Sequence, residues 1–368
     1  MKRGWLVGSL FGSIVVAGSV LVLSGCSNLG YYWQSASGHM RMLQAAKPVQ
    51  EWLADDHAPQ RLKDKLALSQ RIRAFASSEL DLPDNPSYRR YADLQRSAVI
   101  WNVVAAPVYS LKLKTWCFPV TGCVGYKGYF DEREAKAEAE RARREGYEAA
   151  TYPVPAYSTL GWMNWAGGDP LLNTFINYPE GELARMIFHE LAHQVVYVKD
   201  DTMFNESFAT AVERLGVQRW LQTQAGDQAR QDYLRYNARR LQFRALTQDT
   251  RKRLEAVYGD LSLTDAELEL RKQDLLARFR AEYQEIRAGW NLDPARLRLT
   301  DQWVAQANNA SFGAQAAYDD LVPGFEALFA SLGGDWKRFY AEARRLADLP
   351  KAERQALLKT TIKDSPHA

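Results

Sequence analysis

Cysteine and histidine are scarce in this chain, with three of the first and five of the second among 368 residues. Cys117 and Cys123 have no other cysteine or histidine close in sequence, which argues against a cysteine-based zinc site. A charge excess of either sign is also missing. Lysine and arginine number 47 against 44 aspartates and glutamates, a balance that gives no reason to expect nucleic acid as a partner. Neither an internal repeat nor a low-complexity tract occurs. At 46% hydrophobic residues the composition is globular, with enough chain for one large domain or two modest ones.

One long apolar run is present, from Leu6 to Leu23 behind Lys2 and Arg3, and it reads as an export signal. It ends at Leu23-Ser24-Gly25-Cys26, which resembles the bacterial lipobox. Residues 1–25 are therefore expected to be a signal peptide, removed to leave a lipidated Cys26. A retained transmembrane anchor is the lesser reading, since the run is nearly long enough to span a bilayer. Loss of Lys2 and Arg3 leaves 45 basic against 44 acidic residues. Ser27 after the cysteine favours the outer membrane, facing the periplasm, and residues 26–38 read as a tether. In that oxidising compartment Cys117 and Cys123 are expected to pair, because Pro119, Thr121 and Gly122 between them allow a turn.

Further along, apolar spacing predicts helices over about Met40–Asp55 and from Pro59 through Phe75. Between Ala98 and Phe130 β-branched and aromatic residues predict a small antiparallel sheet, from Val99–Val104, Tyr109–Trp116 and Val124–Phe130. Glu132–Glu145 is so charged and alanine-rich that it reads as a mostly solvated helix. Tyr157–Trp162 and Leu171–Ile176 are the two candidates for an edge strand along which a peptide would lie. Asp227–Tyr258 and Thr264–Ala288, separated by Gly259-Asp260, predict a long antiparallel helical hairpin projecting from the body, a surface on which a protein partner would dock. Beyond the Asp293-Pro294 break, Asn308–Asp319 is placed to return to an active site, with Tyr318 as a candidate to stabilise an oxyanion.

The chemistry concentrates in Phe188-His189-Glu190-Leu191-Ala192-His193. Pro179 stops what precedes it, Glu180 and Glu182 suit a helix N-terminus, and apolar residues recur at helical spacing as far as Val198. On a helix, residues four apart lie one above the other, so His189 and His193 can grip one divalent ion while Glu190 reaches a water beside it. A zinc hydrolase needs a third protein ligand and an open fourth position. Glu206, thirteen positions after His193, is the candidate, in the first turn of a second helix starting near Asn205. Asn205, Thr210 and Glu213 are candidates to orient the ligands.

His189-Glu190-x-x-His193 with Asn205-Glu206-Ser207-Phe208-Ala209 resembles the gluzincin group of metallopeptidases. The wider chain resembles a bacterial family of zinc aminopeptidases that are lipoproteins, through Trp101-Asn102-Val103, Trp116-Cys117-Phe118-Pro119, Gly128-Tyr129-Phe130 and Asn308-Asn309-Ala310. The resemblance implies one Zn²⁺ per chain on His189, His193 and Glu206, Glu190 as general base, and peptides as substrate. Two departures stand out. The spacer between His193 and Glu206 holds twelve residues, shorter than in the well-known members of that group. Gly161-Trp162-Met163-Asn164 lacks the glutamate of the Gly-x-Met-Glu-Asn element that holds a substrate's amine.

The expected fold is therefore α+β and mostly helical, a zincin-like domain with a small antiparallel sheet and a long C-terminal helical hairpin. Residues 39–224 would form the catalytic core and 225–368 a helical region packing on it. The expected function is zinc-dependent peptide hydrolysis, with release of amino-terminal residues favoured over internal cutting. The alternative is a non-catalytic envelope lipoprotein with a metal-stabilised fold.

Overall fold

The computed structural model describes residues 30–118, 122–156, 158–316 and 321–363. The first helix, α1, runs over 30–45, so most of the stretch expected as a tether is helical. Its aromatic residues explain this: Tyr31 stacks on Phe118 and meets Tyr129 edge-on, both at 5.4 Å. Cys26 lies outside the described residues. After α1 come β1 (Lys47–Pro48), α2 (Val49–Ala54), α3 (Gln60–Ser78) and β2 (Arg90–Ala92). The single helix expected over Met40–Asp55 is thus broken before Pro48, which lacks the N–H to continue it.

Then follow β3 (Ile100–Pro107), β4 (Trp116–Phe118), β5 (Gly122–Val124), β6 (Lys127–Tyr129), α4 (Glu132–Arg144), β7 (Tyr147–Val154) and β8 (Leu171–Leu172). β3 is central in an antiparallel sheet of order β6-β3-β7, and β4 pairs with β5 through Cys117 opposite Cys123, which are disulfide-bonded. β2 joins β1 and β8 in a second small sheet. The strand expected over Tyr109–Trp116 forms only at its end, whereas β7 was not anticipated. The helix expected to be solvated, α4, lays Ala135, Ala139 and Ala142 against this sheet. Its Glu138 is buried but accepts hydrogen bonds from Tyr129 and Arg141 and pairs with Lys127.

The rest is helical: α5 (Glu180–Ala192), α6 (Thr202–Thr223), α7 (Asp227–Tyr258), α8 (Asp265–Gly289), α9 (Pro294–Gln306), α10 (Asn309–Ala316), α11 (Val322–Ser331), α12 (Trp336–Ala347) and α13 (Lys351–Lys363). The chain is α+β and mostly helical, with small, mainly antiparallel sheets. Among the described residues no helix is long and apolar enough to cross a membrane.

One apolar cluster holds α5 and α6 and takes in residues from Met42 to Leu358. α6 is buried on nearly every side, with Phe204 and Phe208 against Phe325 of α11 and Phe208 also against Phe339 of α12. Gly216 permits the close approach of its neighbours, because a Cβ there would stand 2.7 Å from Leu80 Cδ1 and 3.0 Å from Phe188 Cδ2. The hairpin of α7 and α8 does not project freely. Tyr258 donates to Asn309 Oδ1, Asn309 Nδ2 donates to the carbonyls of Pro107 and Val108, and buried Lys272 of α8 pairs with Glu148 of β7.

Candidate metal centre

α5 ends sooner than its apolar spacing suggests. His193 is its C-cap residue, and the chain turns away before Val195 and Val198 can extend the helix. His189 and His193 still share a face, because residues four apart do so within one turn. Asp201 then caps α6 by accepting the Phe204 N–H, which starts that helix at Thr202 and places Glu206 in its second turn rather than its first. Asn205 fastens the connection. Its side chain accepts the Val198 N–H at 2.7 Å and donates to the Val198 carbonyl at 2.8 Å. The start of α5 is tied to the far end of α6 by Trp220 Nε1–H donating to Glu180 Oε1 at 3.0 Å.

These two helices bring together the three side chains predicted as ligands. His189 Nε2 lies 3.2 Å from His193 Nε2 and 3.4 Å from Glu206 Oε2, and His193 Nε2 is 3.8 Å from the same oxygen. Zinc bonds of about 2.0–2.2 Å in tetrahedral geometry require donors about 3.3–3.5 Å apart. The triangle fits such an ion. His189 and Glu206 keep 16% and 15% of their side chains exposed, so the site is not sealed.

Behind the triangle, His189 Nδ1–H donates to Glu213 Oε2 at 3.0 Å, which presents Nε2 to the triangle. Glu213 also accepts from Arg185, which donates in turn to Glu182 Oε2 at 3.0 Å. Arg240 of α7 reaches both oxygens of Glu182, at 3.0 and 2.8 Å. A charged chain thus runs from the hairpin to His189. Of the residues suggested as ligand supports, Glu213 contacts His189, Asn205 holds the connecting loop and Thr210 lines the cleft wall. Arg185, Glu182 and Arg240 were not anticipated as part of this chain. The usable signal was spacing, since Arg185 precedes His189 by four and Glu213 follows Glu206 by seven, each on its ligand's own helix face.

Gln194, next to His193, is braced separately. Asn85 donates to its carbonyl oxygen at 2.7 Å and it donates to Ser87 Oγ at 3.2 Å. Buried Arg73 fixes that 83–87 loop by donating to the carbonyls of Pro83, Asn85 and Ser87.

Charge states follow from this packing. Burial pushes the Glu190 carboxyl up to about 7, aided by the Glu206 and Asp169 charges and opposed by His189. Burial would also raise Glu213, but Arg185 and His189 hold it down at about 2. Burial raises the Tyr126 phenol well above its ordinary value, and the Glu206 charge adds to this, which places that side chain within electrostatic reach of the centre. Tyr318 lies outside the described residues.

A cleft of about 930 Å³ opens on the centre, lined by His189, Glu190, Glu213, the end of β7 through Ala156, and α7. Among the described residues, neither stretch predicted as the substrate edge contributes to it. Leu171 and Leu172 are buried and paired with β2, whereas Val154, Pro155 and Ala156 at the end of the β7 edge strand line the cleft.

A family model described as "Putative aminopeptidase" matches residues 30–358. No curated protein and no solved structure matches the chain.

Proposed function

The chain belongs to that aminopeptidase family, so its function is peptidase-like, and from this premise we propose a zinc-dependent, gluzincin-type peptidase of the bacterial cell envelope. The observation that carries the reading is the triangle of His189, His193 and Glu206 donor atoms, 3.2–3.8 Å on a side, with Glu190 on the same helix. Zinc held there supplies Lewis acidity, polarising a peptide carbonyl and acidifying water. Glu190 accepts the proton of the attacking water on its carboxylate and hands it to the leaving amine; burial, which favours the neutral acid, suits it to both halves of that transfer. Glu213 keeps the His189 tautomer fixed through the cycle. The end of β7 offers the substrate backbone an edge for pairing.

The leader and Leu23-Ser24-Gly25-Cys26 support a lipid anchor at Cys26 in the outer membrane, facing the periplasm. Release of amino-terminal residues is the expected mode.

The test is incubation of zinc-loaded protein with a mixed peptide library, products being identified by mass. Single-residue losses from the amino end are expected, and Glu190→Gln should keep the metal but lose at least about 100-fold in rate. A pure protein that retains no divalent metal, or cuts nothing in the library, would sink the reading.

A further inference from the structure

Resting on that peptidase reading, we propose that α7 is the substrate-binding wall of the cleft, and that the substrate is an extended peptide of about nine residues bearing acidic side chains. Residues of α7 line the cleft at three- and four-residue steps from Arg230 to Arg251, so one continuous face of the helix is turned to it. At about 1.5 Å per residue this face is about 31 Å long. An extended chain rises about 3.3 Å per residue, so the wall has room for about nine. Leu234 and Leu241 stand on this face with 63% and 49% of their surface exposed. Large apolar side chains left in water along a catalytic cleft are accounted for by a ligand that covers them.

The charge of the lining selects the ligand's sign. Arg214, Arg230, Arg240, Arg244 and Arg251 all line the cleft. Its carboxylates, Glu182, Glu190 and Glu213, are committed: Glu182 to Arg185 and Arg240, Glu213 to Arg185 and His189, Glu190 to proton transfer. Arg230, Arg251 and Arg214 pair with Asp227, Glu255 and Glu326 at 3.0, 3.0 and 3.5 Å, and none of these three acids lines the cleft. The Arg230–Asp227 pair is exposed on both sides and therefore weak, and the other two are half-exposed, so a carboxylate arriving from the cleft side can replace the first and join the others. A peptide with glutamate or aspartate along its length meets complementary charge, whereas a lysine-bearing one meets repulsion.

Peptides of two to twelve residues sharing one scissile pair, made in glutamate-bearing and lysine-bearing versions, test this on zinc-loaded protein. kcat/KM is expected to rise at least tenfold from tripeptide to nonapeptide and then level, with the acidic nonapeptide favoured about tenfold. In the Arg244→Glu/Arg251→Glu double variant the acidic-to-basic ratio should invert; the ratio is internal to each preparation and does not depend on its folded fraction. Equal kcat/KM at three and nine residues, or a ratio that the double variant leaves unchanged, would overturn the proposal while leaving the peptidase reading in place. Fluorescence anisotropy of a labelled acidic nonapeptide on Glu190→Gln protein reads the wall without turnover. Binding there that charge reversal abolishes, with no hydrolysis of any peptide by the wild type, would uphold the wall and count against the peptidase reading; no binding at all overturns the wall.

Discussion

Glu213 accepts the Nδ1–H of His189 at 3.0 Å, so the nitrogen facing His193 and Glu206 is Nε2. Glu213→Gln leaves the volume and an acceptor oxygen but removes the charge that makes the imidazole a stronger donor. Zinc affinity should fall about 10- to 100-fold, read by competition with a chromophoric chelator. Glu213→Ala goes further, because it strips a buried partner from Arg185, and should cost about 3–5 kcal/mol of stability.

Asn205 holds both backbone groups of Val198, and this clamp sets where Glu206 stands relative to the histidines. Asn205→Ala removes two hydrogen bonds in a buried turn and should cost about 1–3 kcal/mol in urea denaturation. Zinc affinity should fall with it, since the two ligand helices lose their link. An affinity equal to wild type would show that packing of α5 on α6 suffices.

Burial pushes the Glu138 carboxyl up, but hydrogen bonds from Arg141 and Tyr129 and the charge of Lys127 outweigh it and hold the group at about 2, against 4.5 unperturbed. A depressed carboxyl contributes stability above its unfolded pKa and loses it as pH falls towards the folded value. The contribution is about 3 kcal/mol at neutral pH, fading between about pH 5 and pH 2. Glu138→Gln should remove most of it at pH 7 and flatten the acid limb of a stability–pH curve measured by chemical denaturation.

The Cys117–Cys123 bridge closes a short hairpin whose Cys123 N–H donates to Asp200 Oδ1 at 2.5 Å, in the loop between the two ligand helices. A loop this short contributes about 2 kcal/mol by restricting the unfolded chain. Reduction, or replacement of both cysteines by serine, should cost about that much. It should also weaken zinc binding, read by chelator competition, because Asp200 loses a fixed donor.

Much of the centre is legible in the sequence, because its logic is local. Histidines four apart share a face on any helix, Pro179 and the first-turn glutamates mark where this one begins, and Gly259-Asp260 divides the hairpin where two periodic stretches meet. These signals depend on backbone period and capping alone, so no contact distant in sequence can erase them. What the tertiary structure decided is which faces meet. Glu206 reaches the histidines because α6 packs antiparallel on α5 across Gly216, β7 rather than an anticipated edge borders the cleft, and α7 lies along it instead of standing free. Each of these outcomes is fixed by burial of apolar surface between segments tens to hundreds of residues apart. A periodic stripe on one helix states that it has a partner, but the identity of that partner depends on the shape of every other stripe in the chain.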